Sequence, residues 1–256
     1  MDSSVFDRWF VSPASPADAR IRLFCIPYAG GSASHYRSWS DGFPRTVDVR
    51  AVQFPGRQKR VDEPRFRRLQ PAVEGIVAAL GAIDRPYAFF GDCTGAFIAL
   101  EVCRSLRRQG YPAPRHLFIA CCRAPHLPLD RTLLHKLDDD ALREELRQLG
   151  LVPGWLLDRD DYYRAFLPLL RDDFELAETY VHGDAEPFSF PITAFAGRAD
   201  PVTSVDEVDA WRVHTSGRFT ARILDGGHDL TKTHVVQIVD EVFRALQPEF
   251  ESEIRI

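Results

Sequence analysis

The sequence has no apolar run approaching the roughly eighteen residues that a membrane-crossing helix requires. Its first residues, MDSSVFDRWFVSP, lack a basic stretch followed by an apolar core and a small-residue cleavage site. Both absences point to a cytoplasmic protein with no membrane partner. Neither sign of charge dominates: 37 acidic side chains oppose 32 basic ones, and the formal net charge of -5 gives no field to draw nucleic acid. Cysteine is scarce. Cys25, Cys93, Cys103, Cys121 and Cys122 are odd in number and show no C-x-x-C spacing, so neither a disulfide framework nor a structural zinc site is expected, and at least one thiol is free. Internal repeats and low-complexity tracts are also missing, and nothing in the chain calls for a second copy, so a monomer is expected.

What the chain does contain is 256 residues at 45% hydrophobic content, enough to bury one large core and short for two, so residues 1–256 are expected to fold as a single domain. Short β-rich runs recur: IRLFCI (21–26), VDVRAVQF (47–54), YAFFG (87–91), HLFIACC (116–122), ITAFAG (192–197) and FTARIL (219–224). Continuous apolar strands of this kind suit a parallel sheet covered on both faces. Amphipathic stretches at about 68–82, 95–109, 205–214 and 232–246 fall between them, the alternation of an α/β protein with a mostly parallel central sheet flanked by helices. From 128 to 187 the rhythm breaks. ALREELRQLG and YYRAFLPLLRDDFELAETY carry helical periodicity and no convincing strand, which reads as a helical lid insertion, with two ordinary crossover helices as the alternative.

Gly91-Asp92-Cys93-Thr94-Gly95 has the G-x-nucleophile-x-G spacing of a strand-to-helix elbow, with cysteine where serine is usual. The glycines let strand and helix approach around a strained residue, whose side chain is raised near the positive end of the helix. A thiol placed there is partly exposed in a field that favours thiolate, whereas Cys25, Cys103, Cys121 and Cys122 read as small buried hydrophobes. Two partners follow in the chain order of this elbow: Asp200 in AFAGRADPV and His228 in ILDGGHDL, each just past an apolar strand. All three then fall at the carboxyl edge of the sheet, where histidine can take the thiol proton and the carboxylate can fix its tautomer. Asp225 and Asp229 flank His228 too closely to orient its ring and read as turn or surface residues. His35, His116, His126, His135, His182, His214 and His234 lack comparable context, and no pair of them has metal spacing with a third ligand, so no metal is expected. The loop PYAGGSASHY after the first strand can offer the Ala29 backbone N–H to an oxyanion, with Thr94 supplying the second, although Gly30 and Gly31 also suit a plain strand-to-helix turn.

The segments IPYAGGSASHYRSW, VQFPGRQKRVDEP, the elbow, LPLLRDDFELAETY, AGRADPV and GGHDL run in order over about residues 21–245, and together the chain resembles the type II thioesterases of polyketide and nonribosomal peptide assembly lines. The resemblance implies an α/β-hydrolase fold with a helical lid and no cofactor. It also implies an acyl thioester carried on the phosphopantetheine arm of a carrier protein, with Cys93, Asp200 and His228 at the catalytic positions. The chain departs from the family's usual G-H-S-M-G at Asp92, Cys93 and Thr94, and has Asp229 where an aromatic residue usually follows the histidine. Asp92 reads as a capping or loop-anchoring residue, or else as a charge that would work against a thiolate. Sulfur would make the covalent intermediate a thioester, which keeps its activation, so transfer of the acyl group to another carrier thiol or an amine stands beside hydrolysis. A silent carrier-binding homologue is the third reading. Arg57, Lys59, Arg60, Arg65, Arg67 and Arg68 form a basic run that could meet an acidic carrier or the pantetheine phosphate, or be a solvated face. Tyr28, Tyr162, Tyr163 and Phe166 are the substrate-contact candidates, with Leu169 and Leu170 beside them; the lid residues among them could equally bind the lid to the core.

Overall fold

A computed structural model describes residues 3–12 and 16–247. Seven strands form one sheet in the order β1-β3-β2-β4-β5-β6-β7: β1 (Phe10–Val11), β2 (Ile21–Ile26), β3 (Val47–Val52), β4 (Tyr87–Asp92), β5 (Leu117–Ala120), β6 (Ile192–Gly197) and β7 (Phe219–Leu224). All neighbours run parallel except β1, which pairs antiparallel with β3 through Phe10 opposite Val52 and Val11 opposite Ala51. That two-residue edge strand is too short to leave a period in the sequence and was not expected. The other six match the apolar runs, and they are apolar throughout because both faces are covered. Side chains alternate across the sheet, so Phe24 and Phe89 enter one core while Leu23, Cys25 and Phe90 enter the other.

Along the chain the helices are α1 (Ser3–Trp9), α2 (Trp39–Gly42), α3 (Leu69–Leu80), α4 (Thr94–Arg108), α5 (Asp139–Gln148), α6 (Gly154–Leu157), α7 (Asp160–Glu178), α8 (Val205–Asp209), α9 (Leu230–Thr233) and α10 (Val235–Leu246). Helices α3 and α4 supply Leu69, Val73, Ile76, Phe97 and Leu100 to the first core, and α10 supplies Ile238, Val239 and Val242 to the second. Each fully buried side chain of this size contributes about 1.5–3 kcal/mol. The stretch expected as one helix over 232–246 is broken at His234, and that over 205–214 tightens into a 3-10 turn at Ala210–His214. The run expected to continue as strand to Cys122 ends at Ala120, because Cys121 takes φ of 49°.

Between β5 and β6 lie α5, α6 and α7 with a small core of their own, built on Leu142, Leu146, Leu157, Tyr163, Leu167 and Phe174. The basic run is neither a free docking patch nor simply a solvated face. Arg57 pairs with Asp173 at 2.8 Å, Arg65 with Asp172 at 2.6 Å, and Arg67 and Arg68 both with Glu175, so four of the six cations strap the loop before α3 to α7. Arg60 turns instead to Glu63 and the Trp9 ring, and Lys59 is exposed. Among the described residues no helix is long and apolar enough to cross a membrane.

Candidate active site

β4 delivers the chain to Cys93 and α4 takes it away, leaving Cys93 alone at φ 48°, ψ -115°, a conformation non-glycine residues rarely hold. The flanking glycines are required by space. A Cβ on Gly91 would meet the Ala96 Cα at 2.5 Å, and one on Gly95 would meet the Ile26 carbonyl oxygen at 2.3 Å. Cys93 is half-buried, while the other four cysteines are buried and inert, their thiols pushed up by burial.

Asp200 follows β6 and its carboxylate is fully enclosed. Oδ1 accepts the backbone N–H groups of Val202 and Thr203 at 2.8 and 3.1 Å, which fixes the side chain in place. His228 Nδ1 lies 2.9 Å from Oδ2 and 3.1 Å from Oδ1. The carboxylate therefore holds the Nδ1–H tautomer and leaves Nε2 to act as a base. Nε2 is buried without a well-formed hydrogen bond, with the Cys93 thiol beside it. Burial opposes charge on this ring, but Cys93 and the Asp200 carboxylate outweigh it and push the imidazole up to about 10. The three residues singled out by their chain order are thus brought together.

Of the two proposed oxyanion donors, Thr94 follows Cys93 in the elbow and Ala29 borders the cleft beside Cys93. Neither the Ala29 nor the Thr94 backbone N–H has an acceptor within the described residues. The loop that carries Ala29 is held from α7: Gly30 N–H donates to Asp173 at 2.7 Å, and Arg57 bridges the Gly31 carbonyl at 2.8 Å to that same carboxylate. Asp173 escaped the reading of the sequence, where it appears only as one acid in the helical pattern RDDFELAE.

Space opens on two sides of Cys93. A tight cleft of about 30 Å³, room for a water molecule, is bounded by Tyr28, Ala29, Asp92, His228 and Lys232. A chamber of about 350 Å³ lies on the other side, with Phe97, Cys122, Arg123 and Leu134 among its walls. Leu151 and Phe174, both from the helical interval, border the two spaces. Of the substrate-contact candidates Tyr28 reaches the cleft, with Lys232 above its ring at 4.5 Å, and Leu170 beside them borders it too. Tyr162 and Tyr163 do not. Tyr162 is exposed against Trp155 and Arg159, and Tyr163 is buried in the helical core with its hydroxyl donating to the Asp139 carbonyl at 2.7 Å. Phe166 packs on Gly30 behind the loop and outside both spaces. The chain positions of these aromatics gave helical spacing but not which face would turn inward.

Cys121, Asp200 and His228 bring ligand-type atoms within 4.8 Å of one another. Asp200 is already committed to His228 and two backbone amides, and burial keeps the Cys121 thiol neutral, so this group is poorly suited to a cation.

A thioesterase domain model matches residues 21–246. The gramicidin S biosynthesis protein GrsT of Aneurinibacillus migulanus is 37% identical over 88% of each chain, and the thioesterase PikA5 of Streptomyces venezuelae is 39% identical over 89% of this chain and 80% of its own. The solved structure of RedJ, a thioesterase from the prodiginine pathway of Streptomyces coelicolor, superposes with a TM-score of 0.85 at 38% identity, covering 92% of this chain and 96% of RedJ. The architecture is accordingly the α/β-hydrolase fold. With a match that runs from β2 to α10 and type II thioesterases among its relatives, the chain belongs to the thioesterase domain family.

Proposed function

We propose that the protein is a thioesterase that releases acyl groups bound as thioesters to the phosphopantetheine arm of a carrier protein, with Cys93 as nucleophile, His228 as base and Asp200 as its orienting carboxylate. The observation that carries this reading is the His228 ring, pinned at Nδ1 by Asp200 and open at Nε2 toward the thiol at the strained elbow. With the imidazole raised to about 10 beside it, the Cys93 proton already rests on His228 Nε2; the sulfur bonds to the acyl carbon, and the carbonyl electron pair moves to an oxygen received by the Ala29 and Thr94 amides. Collapse breaks the bond to the pantetheine sulfur, which leaves with the proton from His228. Water then gives a proton to His228 and attacks the acyl-Cys93 carbonyl; the second collapse expels the Cys93 sulfur beside the protonated imidazole, restoring the resting pair, and frees the acid. The cleft beside His228 suits the water and the larger chamber suits the acyl group. The interval from 128 to 187 acts as a lid over both.

Intact-protein mass spectrometry after mixing with acylated carrier proteins tests the reading. A Cys93 adduct that forms and decays to free acid in water supports it. An adduct that persists in water and discharges only to an added amine or thiol would make the protein an acyltransferase, and absence of any adduct or turnover over a broad acyl panel would reject both.

A further inference from the structure

Asp92 has no step in the reaction above, yet it sits at the base of the elbow, 3% exposed, and borders the same cleft as Cys93 and His228. One carboxylate oxygen accepts the Thr231 hydroxyl; the other makes no hydrogen bond within the described residues. Thr231 Oγ1 lies 3.0 Å from His35 Nε2. Because the hydroxyl proton is spent on Asp92, its oxygen accepts from His35, and the order of donation is His35 to Thr231 to Asp92. Burial and the Lys232 charge hold His35 neutral, lowered to about 4, so it donates as the Nε2–H tautomer.

Anchoring Thr231 needs only an acceptor, which a neutral amide would supply without the cost of burying charge. The charge is explained by what it faces. His228 and Lys232 lie on the loop and helix after β7; Asp200 follows β6; Cys121 and Cys122 follow β5; His35 and Tyr36 sit after β2. Burial keeps Tyr36, Cys121 and Cys122 uncharged near neutrality. Two cations draw on Asp92 against the Asp200 carboxylate and, whenever its proton is on His228, the neighbouring Cys93 sulfur; the cation within the proposed machinery is the His228 imidazolium.

We propose that Asp92 is a positioning residue for the thiol–imidazole pair, whose negative charge steadies the His228 imidazolium and whose own protonation sets the pH below which Cys93 loses reactivity. This rests on the reading of Cys93 and His228 as nucleophile and base. Burial raises the Asp92 carboxyl to about 6, opposed by Thr231, His228 and Lys232, so its charge is present at pH 7 and lost as the pH falls through 6.

The test is the rate of Cys93 alkylation by iodoacetamide, read by peptide mass spectrometry from pH 5 to 8.5, in the wild type, Asp92→Asn and Thr231→Val. The wild type should show an acid limb near pH 6. Asp92→Asn keeps an acceptor for Thr231 but no charge; the limb should vanish and the rate at pH 7 fall about tenfold, the equivalent of one pKa unit. Thr231→Val removes a donor that favours the anion, so its limb should move to higher pH. An Asn curve that overlays the wild type overturns the proposal. If circular dichroism shows that Asp92→Asn does not fold, the Thr231→Val curve decides, and an unmoved limb overturns it. Alkylation needs no acyl substrate, so these curves stand or fall apart from carrier-thioester turnover.

Discussion

Cys93 occupies a backbone conformation that costs about 1–3 kcal/mol, and the surrounding glycines and the Cys93 N–H bond to the Ala120 carbonyl hold it there. Gly91→Ala should therefore lower stability by about 3 kcal/mol or prevent folding, since the new methyl would run into Ala96 backbone; a urea midpoint equal to the wild type's would contradict this. Cys93→Ala should abolish acyl-enzyme formation. Cys93→Ser is more telling: replacing the thioester intermediate by an oxyester should change the partition between water and added amine, measured by product analysis, and an unchanged partition would show that sulfur does not direct the outcome. These residues were legible in the sequence because an elbow is local and its partners each close a strand in a fixed order. Thr231 and His35 were not, for they meet Asp92 from 139 and 57 positions away and carry no motif.

At the level of elements, α7 does more than cover the site. Asp173 reaches from it to the Gly30 amide and the Arg57 guanidinium, so the loop bearing Ala29 is correctly placed only while α7 is docked. Asp173→Asn leaves Arg57 buried without its counter-charge, and a loss of about 3 kcal/mol in unfolding free energy is expected. Turnover should fall further than substrate affinity, because in the proposed reaction the displaced amide would serve the tetrahedral state; kinetics in which KM alone changed would argue otherwise. The helices here were visible as periodicity, yet of Tyr162 and Tyr163, open between the pocket and packing of the lid helices, neither lines the pocket and Tyr163 packs in the helical core. Periodicity gives a face, and only tertiary packing says what that face meets.

For the whole molecule, the sheet was readable because strands buried on both faces leave unbroken apolar runs, while β1 and the break at His234 depend on contacts with distant residues. Buried neutral histidines govern its response to acid. Burial, with Arg218 acting on His116 and His182, His126 and Arg104 acting on His214, lowers both to about 3. Their contribution is intact above the unfolded value near 6.5 and is lost as the pH falls toward 3, at about 1.4 kcal/mol per unit for each. His228, raised above its unfolded value, is protonated in both states across that window and does not offset them; His35, lowered to about 4, adds to them, while Asp92, raised to about 6, offsets one histidine between pH 6 and about 4. Denaturation midpoints should drop steeply from pH 6.5 to 4, and His116→Gln should flatten the slope; a flat wild-type profile would contradict the assignment. The arginines that strap α7 are exposed at their outer ends, 35% for Arg65, 64% for Arg67 and 57% for Arg68. Pairs of this kind hold about 0–1 kcal/mol each and are screened beyond roughly 8 Å at physiological ionic strength. Added salt should therefore loosen the outer part of the strap that ties α7 above Cys93 while leaving the buried Arg57–Asp173 pair in place, so rates compared across media should be compared at one ionic strength.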